Sequence, residues 1–77
     1  MDYVLATDDE ISIRSLQVKE ITDNPFRIEQ SGEVNFAMLG RVSLAGTTAQ
    51  EAETRIRASL EKFYVKPDIA VLMTGAP

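Results

Sequence analysis

The chain has 77 residues, of which 44% are hydrophobic and 26% are charged, with a formal net charge of −4. This length limits it to one domain, and the composition is that of a globular rather than a disordered chain. The acidic balance argues against nucleic acid, and the lack of cysteine and histidine excludes thiol and imidazole chemistry, including zinc binding through those groups.

The first half of the chain predicts short β-strands. Residues 3–5 are a strand candidate, and residues 7–9 predict a turn. Residues 11–14 alternate apolar and polar side chains, which indicates a half-buried strand. The phase of this alternation then changes, so we expect a bulge or bend near Ser15. The Asp-Asn-Pro run at residues 23–25 predicts a loop.

A β-hairpin is predicted in the middle of the chain. Residues 26–30 and 34–38 both alternate, on either side of a Ser-Gly link at residues 31–32. Two alternating runs around a short glycine-containing link are typical of a hairpin. Residues 42–44, between two glycines, predict another short strand.

The strongest local pattern predicts an α-helix after Thr48. Thr48 and Glu51 have the spacing of a capping box, in which each side chain accepts a hydrogen bond from the main chain of the other. Glu51 with Arg55 and Glu53 with Arg57 are i,i+4 pairs in the favoured orientation, which we expect on a solvated face. Apolar residues at helical spacing form one stripe: Ala49, Ala52, Ile56, Leu60 and Phe63.

The last part of the chain predicts a final strand. Pro67 ends the helical region because it lacks the N–H that a continuing helix needs. Residues 69–73 are apolar on both phases of the alternation, which predicts an interior strand covered on both faces. The fold class predicted is therefore α+β: a small mixed β-sheet of short strands with one main helix packed on it.

Three groups of residues could carry chemistry. The glycine-to-helix turn at residues 44–48 could bind an anion, but it has no Walker lysine, and Glu51 would occupy the free amides. The carboxylates of residues 8–10 could bind a divalent cation, but neighbours on an extended chain point to opposite faces. Glu29 and Glu33 could be the paired carboxylates of a glycosidase, which requires a deep cleft.

Two aromatic residues leave a further alternative open. Tyr3 and Tyr64 could stack on sugar rings, or they could pack at the edge of the core. From its residues alone the chain is a small α+β module, and they indicate no catalytic constellation, cofactor or metal site.

Four ordered segments carry a resemblance to a known family: SGEV at 31–34, LGRV at 39–42, AGTTAQEA at 45–52 and KPDI at 66–69. They resemble the turn-glycine segment, the Leu-Gly-x-Val step, the Gly-x-Thr-x-x-Glu-Ala helix start and the proline-led strand of polysaccharide biosynthesis/export proteins. These are the outer-membrane export lipoproteins of capsule and exopolysaccharide systems. Upstream, Tyr3, Leu5 and Asp9 resemble the opening strand and turn of the family.

The resemblance implies a structural role for the residues that match the family motif. Ala6 and Asp8 depart from it, since they stand where the family has glycines, but aspartate tolerates a positive φ and we expect the turn to survive. Ala37 stands where the family often has a proline. The matching residues are Asp9, Gly32, Leu39, Gly40, Gly46, Thr48, Glu51, Ala52 and Pro67.

The function that the resemblance implies is structural. Residues 1–77 would be a single export-motif domain, excised from a longer chain whose signal peptide and lipid anchor lie outside it. It would be a non-enzymatic domain on the periplasmic side of the outer membrane, without a cofactor. Its partners would be copies of itself in a ring, the transported polysaccharide, and an inner-membrane copolymerase or tyrosine kinase. No nucleic acid and no membrane span are expected. The alternative is a free-standing periplasmic module that binds envelope, lipid or glycan.

Overall fold

In the residues that the structure describes, the fold consists of five short strands and one helix. The computed structural model describes residues 3–22, 24–37 and 39–75, so the expectations that concern Asp23, Met38 and residues 76–77 lie outside the described residues. The elements in chain order are β1 (Glu10–Arg14), β2 (Pro25–Arg27), β3 (Glu33–Phe36), β4 (Gly40–Ser43), α1 (Ala49–Leu60) and β5 (Ala70–Gly75). The predicted α+β class is confirmed.

The strands divide between two antiparallel sheets, where we expected a single mixed sheet. One sheet has the order β2-β1-β5, and the other pairs β3 with β4. In the first sheet the buried Ile11 and Ile13 lie opposite Met73 and Val71 of β5. A parallel pairing occurs as an isolated bridge between Ile13 and Thr22. The paths of the connecting loops set these directions, and strand periodicity carries no information about them.

The prediction that residues 26–30 and 34–38 pair as a hairpin is wrong. β3 pairs with β4, with Val34 opposite Val42, whereas β2 pairs with β1. The Ser-Gly link is nevertheless a tight turn, in which the Gly32 N–H donates to the carbonyl oxygen of Glu29 at 2.8 Å. Alternation predicts a strand but does not identify its partner, because all these runs share a period of two.

β5 is an edge strand, so the prediction of an interior strand covered on both faces is wrong. β5 pairs with β1 on one side, and within the described ranges no strand pairs with its other side. Leu72 and Met73 are each 40% exposed, whereas Val71 is 6% exposed. The apolar residues of β5 are therefore not all buried: Val71 belongs to the core, whereas Leu72 and Met73 leave apolar surface exposed.

The bend predicted near Ser15 is confirmed. The Ser15 Oγ accepts hydrogen bonds from the N–H groups of Gln17 at 3.2 Å and Val18 at 3.1 Å. This bend leaves Leu16 84% exposed while Val18 is fully buried. The change of phase in the sequence thus marks the place where the chain leaves β1.

Helix α1 begins as predicted and covers the core. The Glu51 N–H donates to Thr48 Oγ1 at 3.2 Å, and the Thr48 N–H donates to Glu51 Oε1 at 2.9 Å. The capping box is therefore confirmed. Because the helix ends before Phe63, that residue leaves the stripe and is 59% exposed. The fully buried members of the stripe are Ala52, Ile56 and Leu60.

The two i,i+4 ion pairs expected on α1 are replaced by other contacts. Arg55 Nη1 donates to the carbonyl oxygen of Ser43 at 2.9 Å, and Glu53 Oε2 accepts from the Val71 N–H at 3.1 Å. The Glu51 carboxylate closes the helix cap. These side chains attach α1 to both sheets instead of pairing on a solvated face.

Replacing Thr48 by alanine tests the helix cap. We expect it to lower the free energy of unfolding by about 0.5–2 kcal/mol, because the Glu51 N–H loses its acceptor. Thr54→Ala is the matched control, since Thr54 is exposed on the same helix and donates to the carbonyl oxygen of Gln50. Urea unfolding monitored by circular dichroism measures both variants. An equal loss of stability in the two would contradict the cap's contribution.

Candidate functional site

Asp9 organises the turn between the N-terminal segment and β1. The carboxylate is fully buried, and its Oδ2 accepts from the Tyr3 hydroxyl at 2.7 Å and from the Ala6 N–H at 2.9 Å. Asp8 has a φ of 70°, so the turn survives without glycine, as expected from the tolerance of aspartate. The Asp8 N–H donates to the carbonyl oxygen of Ile28 at 2.8 Å, which ties the turn to the chain after β2.

The hydrogen bond to Asp9 raises the pKa of the Tyr3 hydroxyl above its ordinary value, and partial burial and the carboxylate charge act in the same direction. We expect Asp9→Asn to bring the Tyr3 pKa back towards about 10, because the acceptor loses its charge. Because the pKa of Tyr3 is higher in the folded chain than in the unfolded chain, the hydrogen bond between Tyr3 and Asp9 contributes its full stabilisation below pH about 10. Its contribution is then lost as the pH rises through the folded-state pKa.

Phenolate absorbance measures this prediction. The chain has two tyrosines, so the titration is made in a Tyr64→Phe background where only Tyr3 reports. Asp68→Asn is the control, because it removes an exposed carboxylate, and circular dichroism checks that each variant is folded. An unchanged Tyr3 titration in folded Asp9→Asn would contradict the role given to Asp9.

The N-terminal segment crosses the start of α1. Val4 forms an isolated antiparallel bridge with Thr48, so the strand predicted at residues 3–5 is reduced to one bridge. The Leu5 N–H donates to the carbonyl oxygen of Thr47 at 2.8 Å, and the Gly46 N–H donates to the carbonyl oxygen of Leu5 at 2.8 Å. The segment therefore holds the glycine turn that precedes the helix.

Gly32 connects the turn after β2 to the end of β4. Its φ is 86°, and its carbonyl oxygen accepts from the N–H groups of Leu44 at 2.9 Å and Ala45 at 3.0 Å. An added Cβ at Gly32 would lie 3.0 Å from the Ala45 Cβ. The position thus needs both the backbone freedom and the small size of glycine.

The other residues that match the family motif also lie at turns and in the core. Gly40 opens β4 with a φ of 77°, and Leu39 packs partly buried against the core. Ala52 and Pro67 are buried. These positions are distributed through the fold and do not gather in one cleft. Such a distribution supports the structural role that we predict for them.

The residues of the two candidate ion sites contact other groups of the domain. The Glu51 carboxylate accepts from the Thr48 N–H at the start of α1, where an anion would otherwise bind. In the acidic run, Asp9 points into the core, while a Glu10 carboxylate oxygen lies 4.0 Å from Arg27. Among the described residues, no group of three carboxylate, histidine or cysteine side chains could hold a metal ion.

Arg41 lies between the two glutamates considered as a glycosidase pair. Its Nη1 is 2.6 Å from Glu29 Oε1 and 3.8 Å from Glu33 Oε1. The hydrogen bond to Glu29, and then the charges of both carboxylates, raise the pKa of the Arg41 guanidinium above its ordinary value. These side chains are partly exposed and form a surface ion-pair cluster, which is not the deep cleft that glycoside hydrolysis requires.

Both tyrosines donate to carboxylates of the domain itself. Tyr3 is 55% exposed, but its hydroxyl is held by Asp9. Tyr64 packs partly buried against the core, and its hydroxyl donates to Glu20 Oε2 at 3.4 Å. Burial, and then the charge of Glu20, raise the pKa of Tyr64. Internal hydrogen bonds therefore occupy the hydroxyl groups of both side chains.

A groove of about 480 Å³ lies over the sheet between the start of α1, β5 and the N-terminal segment, with Ile11 of β1 also in its lining. Leu5, Ile11, Val71 and Met73 supply apolar surface to it, and Glu53 is the one charged residue among its described lining residues. We call it the α1–β5 groove. The sequence did not predict it, because its walls come from segments far apart in the chain. The apolar residues on both phases of β5 are the sequence feature that corresponds to it, since exposed apolar side chains on an edge strand produce the same pattern as an interior strand.

Together these contacts define a small α+β domain whose polar motif residues Asp9, Thr48 and Glu51 make hydrogen bonds within its own turns and helix cap. No helix in the described part of the chain is long and apolar enough to cross a membrane.

The comparison with protein families agrees with the sequence resemblance. The model of the polysaccharide biosynthesis/export protein family matches residues 1–74, and the chain belongs to that family. No curated protein matches the chain. Family membership indicates a role in polysaccharide export and a place in the cell envelope, in a family of transport proteins that is not known as catalytic.

Proposed function

We propose that this chain is a non-enzymatic periplasmic domain of an outer-membrane polysaccharide export protein. In this role it contributes to a ring-shaped assembly through which capsule or exopolysaccharide passes. The observation that carries the proposal is the family match over residues 1–74. The structure supports a scaffold role, because the motif residues close turns and cap the helix instead of forming a reactive cleft.

In the proposed assembly, identical domains repeat one head-to-tail contact. Such a series closes into a ring when the rotation between neighbouring domains brings the last one back to the first. The described surface measures 4782 Å², and a stable interface buries about 800 Å² on each partner. A domain with two such contacts would bury about a third of its surface in them. We therefore propose that residues 1–77 are one domain of a longer export protein, which supplies the rest of the interface.

The isolated domain is accordingly expected to be monomeric or weakly associating. Light scattering across a concentration series measures this directly. A stable high-order ring formed by this chain alone would contradict the proposed dependence on further interface.

Deleting the coding region of this domain in its own cells tests the export role. We expect surface polysaccharide to be lost while intracellular polymer accumulates, because synthesis does not require the domain. Restoring the intact gene is the control. Normal surface polysaccharide in the deletion strain would overturn the proposal. Cross-linking in the same cells tests the proposed contact with an inner-membrane copolymerase or tyrosine kinase.

A second candidate is a periplasmic module that binds the lipid surface of the envelope. The observation that favours it is the exposure of large apolar side chains, with Leu16 84%, Phe63 59% and Val65 86% exposed. Exposed apolar surface is typical of membrane or partner contacts when it is contiguous. Co-sedimentation with vesicles of neutral and anionic lipid distinguishes this candidate, since an export scaffold need not bind either.

A further inference from the structure

The lining of the α1–β5 groove combines apolar and polar side chains. Its apolar lining includes the buried Leu5, Ile11 and Val71. Tyr3 and Met73 also line it, and both side chains are exposed. Small-ligand sites are typically concave, have volumes of about 300–1,000 Å³, and place a few polar groups among apolar and aromatic ones. The groove, at about 480 Å³, has this size and this composition.

Two polar side chains of the groove come from the first turns of α1. Gln50 and Glu53 are three residues apart, so they are neighbours on the helix surface, and both line the groove. Glu53 Oε2 accepts from the Val71 N–H at 3.1 Å, whereas Glu53 Oε1 accepts no hydrogen bond from the described residues. The side-chain amide of Gln50 makes no hydrogen bond within the described ranges either. The groove therefore offers a carboxylate oxygen and an amide group to an occupant.

Tyr3 presents an anchored aromatic ring to the groove. Its hydroxyl donates to the buried Asp9 carboxylate at 2.7 Å, which holds the polar end of the side chain, while the side chain as a whole is 55% exposed. Tyrosine supplies apolar contact area at a low cost in conformational entropy, and an anchored ring loses less when a ligand covers it. The C–H face of a sugar ring is apolar and matches such a surface. Tyr3 is therefore suited to stacking on a sugar ring.

The polarity of the groove favours an uncharged ligand with hydroxyl groups. Glu53 is the one charged residue among the described lining residues, so it would repel an anion, and no lysine or arginine there would pair with one. A purely apolar ligand would cover Glu53 Oε1 without giving it a hydrogen bond, which is costly for a carboxylate. A simple cation would leave the apolar lining and the Tyr3 ring uncovered. A sugar satisfies both parts of the lining, because its hydroxyl groups donate hydrogen bonds and its C–H faces are apolar.

We propose that the α1–β5 groove binds uncharged sugar units of the transported polysaccharide. One face of a sugar ring stacks on Tyr3, and its hydroxyl groups donate to Glu53 Oε1 and exchange hydrogen bonds with the Gln50 amide. The identification of the ligand as the exported polymer rests on the proposed export function, whereas the site itself rests on the lining of the groove. Because the site offers few polar partners, binding is weak and reversible, as the passage of a polymer requires.

Titration with methyl glycosides, followed by amide NMR of the whole 77-residue chain, tests the proposal. The neutral probes are the methyl glycosides of glucose, galactose, mannose and N-acetylglucosamine. The matched controls are the methyl glycosides of glucuronic and galacturonic acid, which carry a carboxylate at C6. We expect at least one neutral probe to shift the amide signals of Gln50, Glu53 and Met73 in a saturable way. The acidic probes should bind about two- to fivefold more weakly than their neutral counterparts, the range of one exposed charge interaction.

Glu53→Gln tests the contribution of charge, because glutamine keeps an acceptor for the Val71 N–H. We expect the discrimination between neutral and acidic glycosides to disappear in this variant, since the repelling charge is gone. Glu61→Gln is the matched control, because Glu61 is exposed at the other end of α1, and it should keep the discrimination. A purely structural role of Glu53 would leave the discrimination unchanged in both variants.

Tyr3→Ala tests the stacking contact. We expect it to weaken binding of the neutral glycosides about fivefold, from the loss of roughly 40 Å² of covered ring surface. Phe63→Ala is the control, since it removes an exposed ring that is not among the described lining residues, and it should leave the affinity unchanged. Tyr3→Phe keeps the ring and loses the hydrogen bond to Asp9, so it should bind more tightly than Tyr3→Ala. Circular dichroism checks that each variant is folded.

Three results would overturn the proposal. One is the absence of saturable shifts with all four neutral glycosides. Another is a set of shifted amides that excludes α1 and β5. The third is equal affinity of the parent chain for neutral and acidic glycosides. The deletion strain tests the export role separately: lost surface polysaccharide without glycoside binding would remove only the groove site. Glycoside binding with normal surface polysaccharide would keep the groove as a sugar site and overturn the export role.

Discussion

Replacing Phe36 by alanine is expected to lower the free energy of unfolding by about 3–5 kcal/mol. Phe36 is the largest fully buried side chain of the described residues, and its ring centroid lies 4.8 Å from that of Phe26. Alanine would leave a cavity where β2 and β3 meet. Since a natural domain has about 0.05–0.15 kcal/mol of stability per residue, a chain of 77 residues has about 4–12 kcal/mol, of which this loss is a large fraction.

Phe63→Ala is the matched control, because it removes the same ring from a site that is 59% exposed. Urea unfolding at several temperatures measures both variants, with circular dichroism as the signal. We expect a shift of less than about 1 kcal/mol for Phe63→Ala. If the two variants lost similar stability, Phe36 would not be the centre of the core that the structure shows.

Replacing Gly32 by alanine is expected to cost about 2–5 kcal/mol. The positive φ of 86° contributes about 1–2 kcal/mol of backbone strain. The contact of the new Cβ with Ala45 at 3.0 Å adds about 1–3 kcal/mol of overpacking. The change also strains the turn whose carbonyl oxygen accepts two N–H groups at the end of β4. Thermal and urea unfolding give the expected loss directly.

Gly46→Ala separates the two causes. Gly46 has the same φ of 86°, but a Cβ added there meets no heavy atom within 4 Å. Only the strain of about 1–2 kcal/mol should remain. An equal cost at Gly32 and Gly46 would mean that the chain relieves the contact with Ala45 by a small movement. A Gly32→Ala variant as stable as the parent would contradict the turn itself.

The local elements could be predicted because their causes are local. The capping box of Thr48 and Glu51 requires two side chains three residues apart, and the structure shows both of its hydrogen bonds. The bend at Ser15 and the positive φ of Asp8 likewise depend on residues next to them in the chain. The family resemblance could be found for the same reason, since its motifs are short segments in a fixed order.

The pairing of strands and the surface of the domain could not be predicted in this way. The alternation of residues 26–30 is equally compatible with pairing to β1 or to β3, and in the structure β2 pairs with β1. The apolar run around Val71 is satisfied by an interior strand or by an edge strand under a helix. The ion pair expected of Glu53 gave way to a hydrogen bond with an N–H that is distant in sequence.

The sequence by itself determined the α+β class, the helix with its cap, the turns and the family. These depend on propensity, spacing and residue order, which act over a few positions of the chain. Tertiary structure alone decided that the strands form two sheets, that β5 lies at an edge, and that the α1–β5 groove exists. The reason is that each of these depends on which distant segments meet when the apolar residues are buried together.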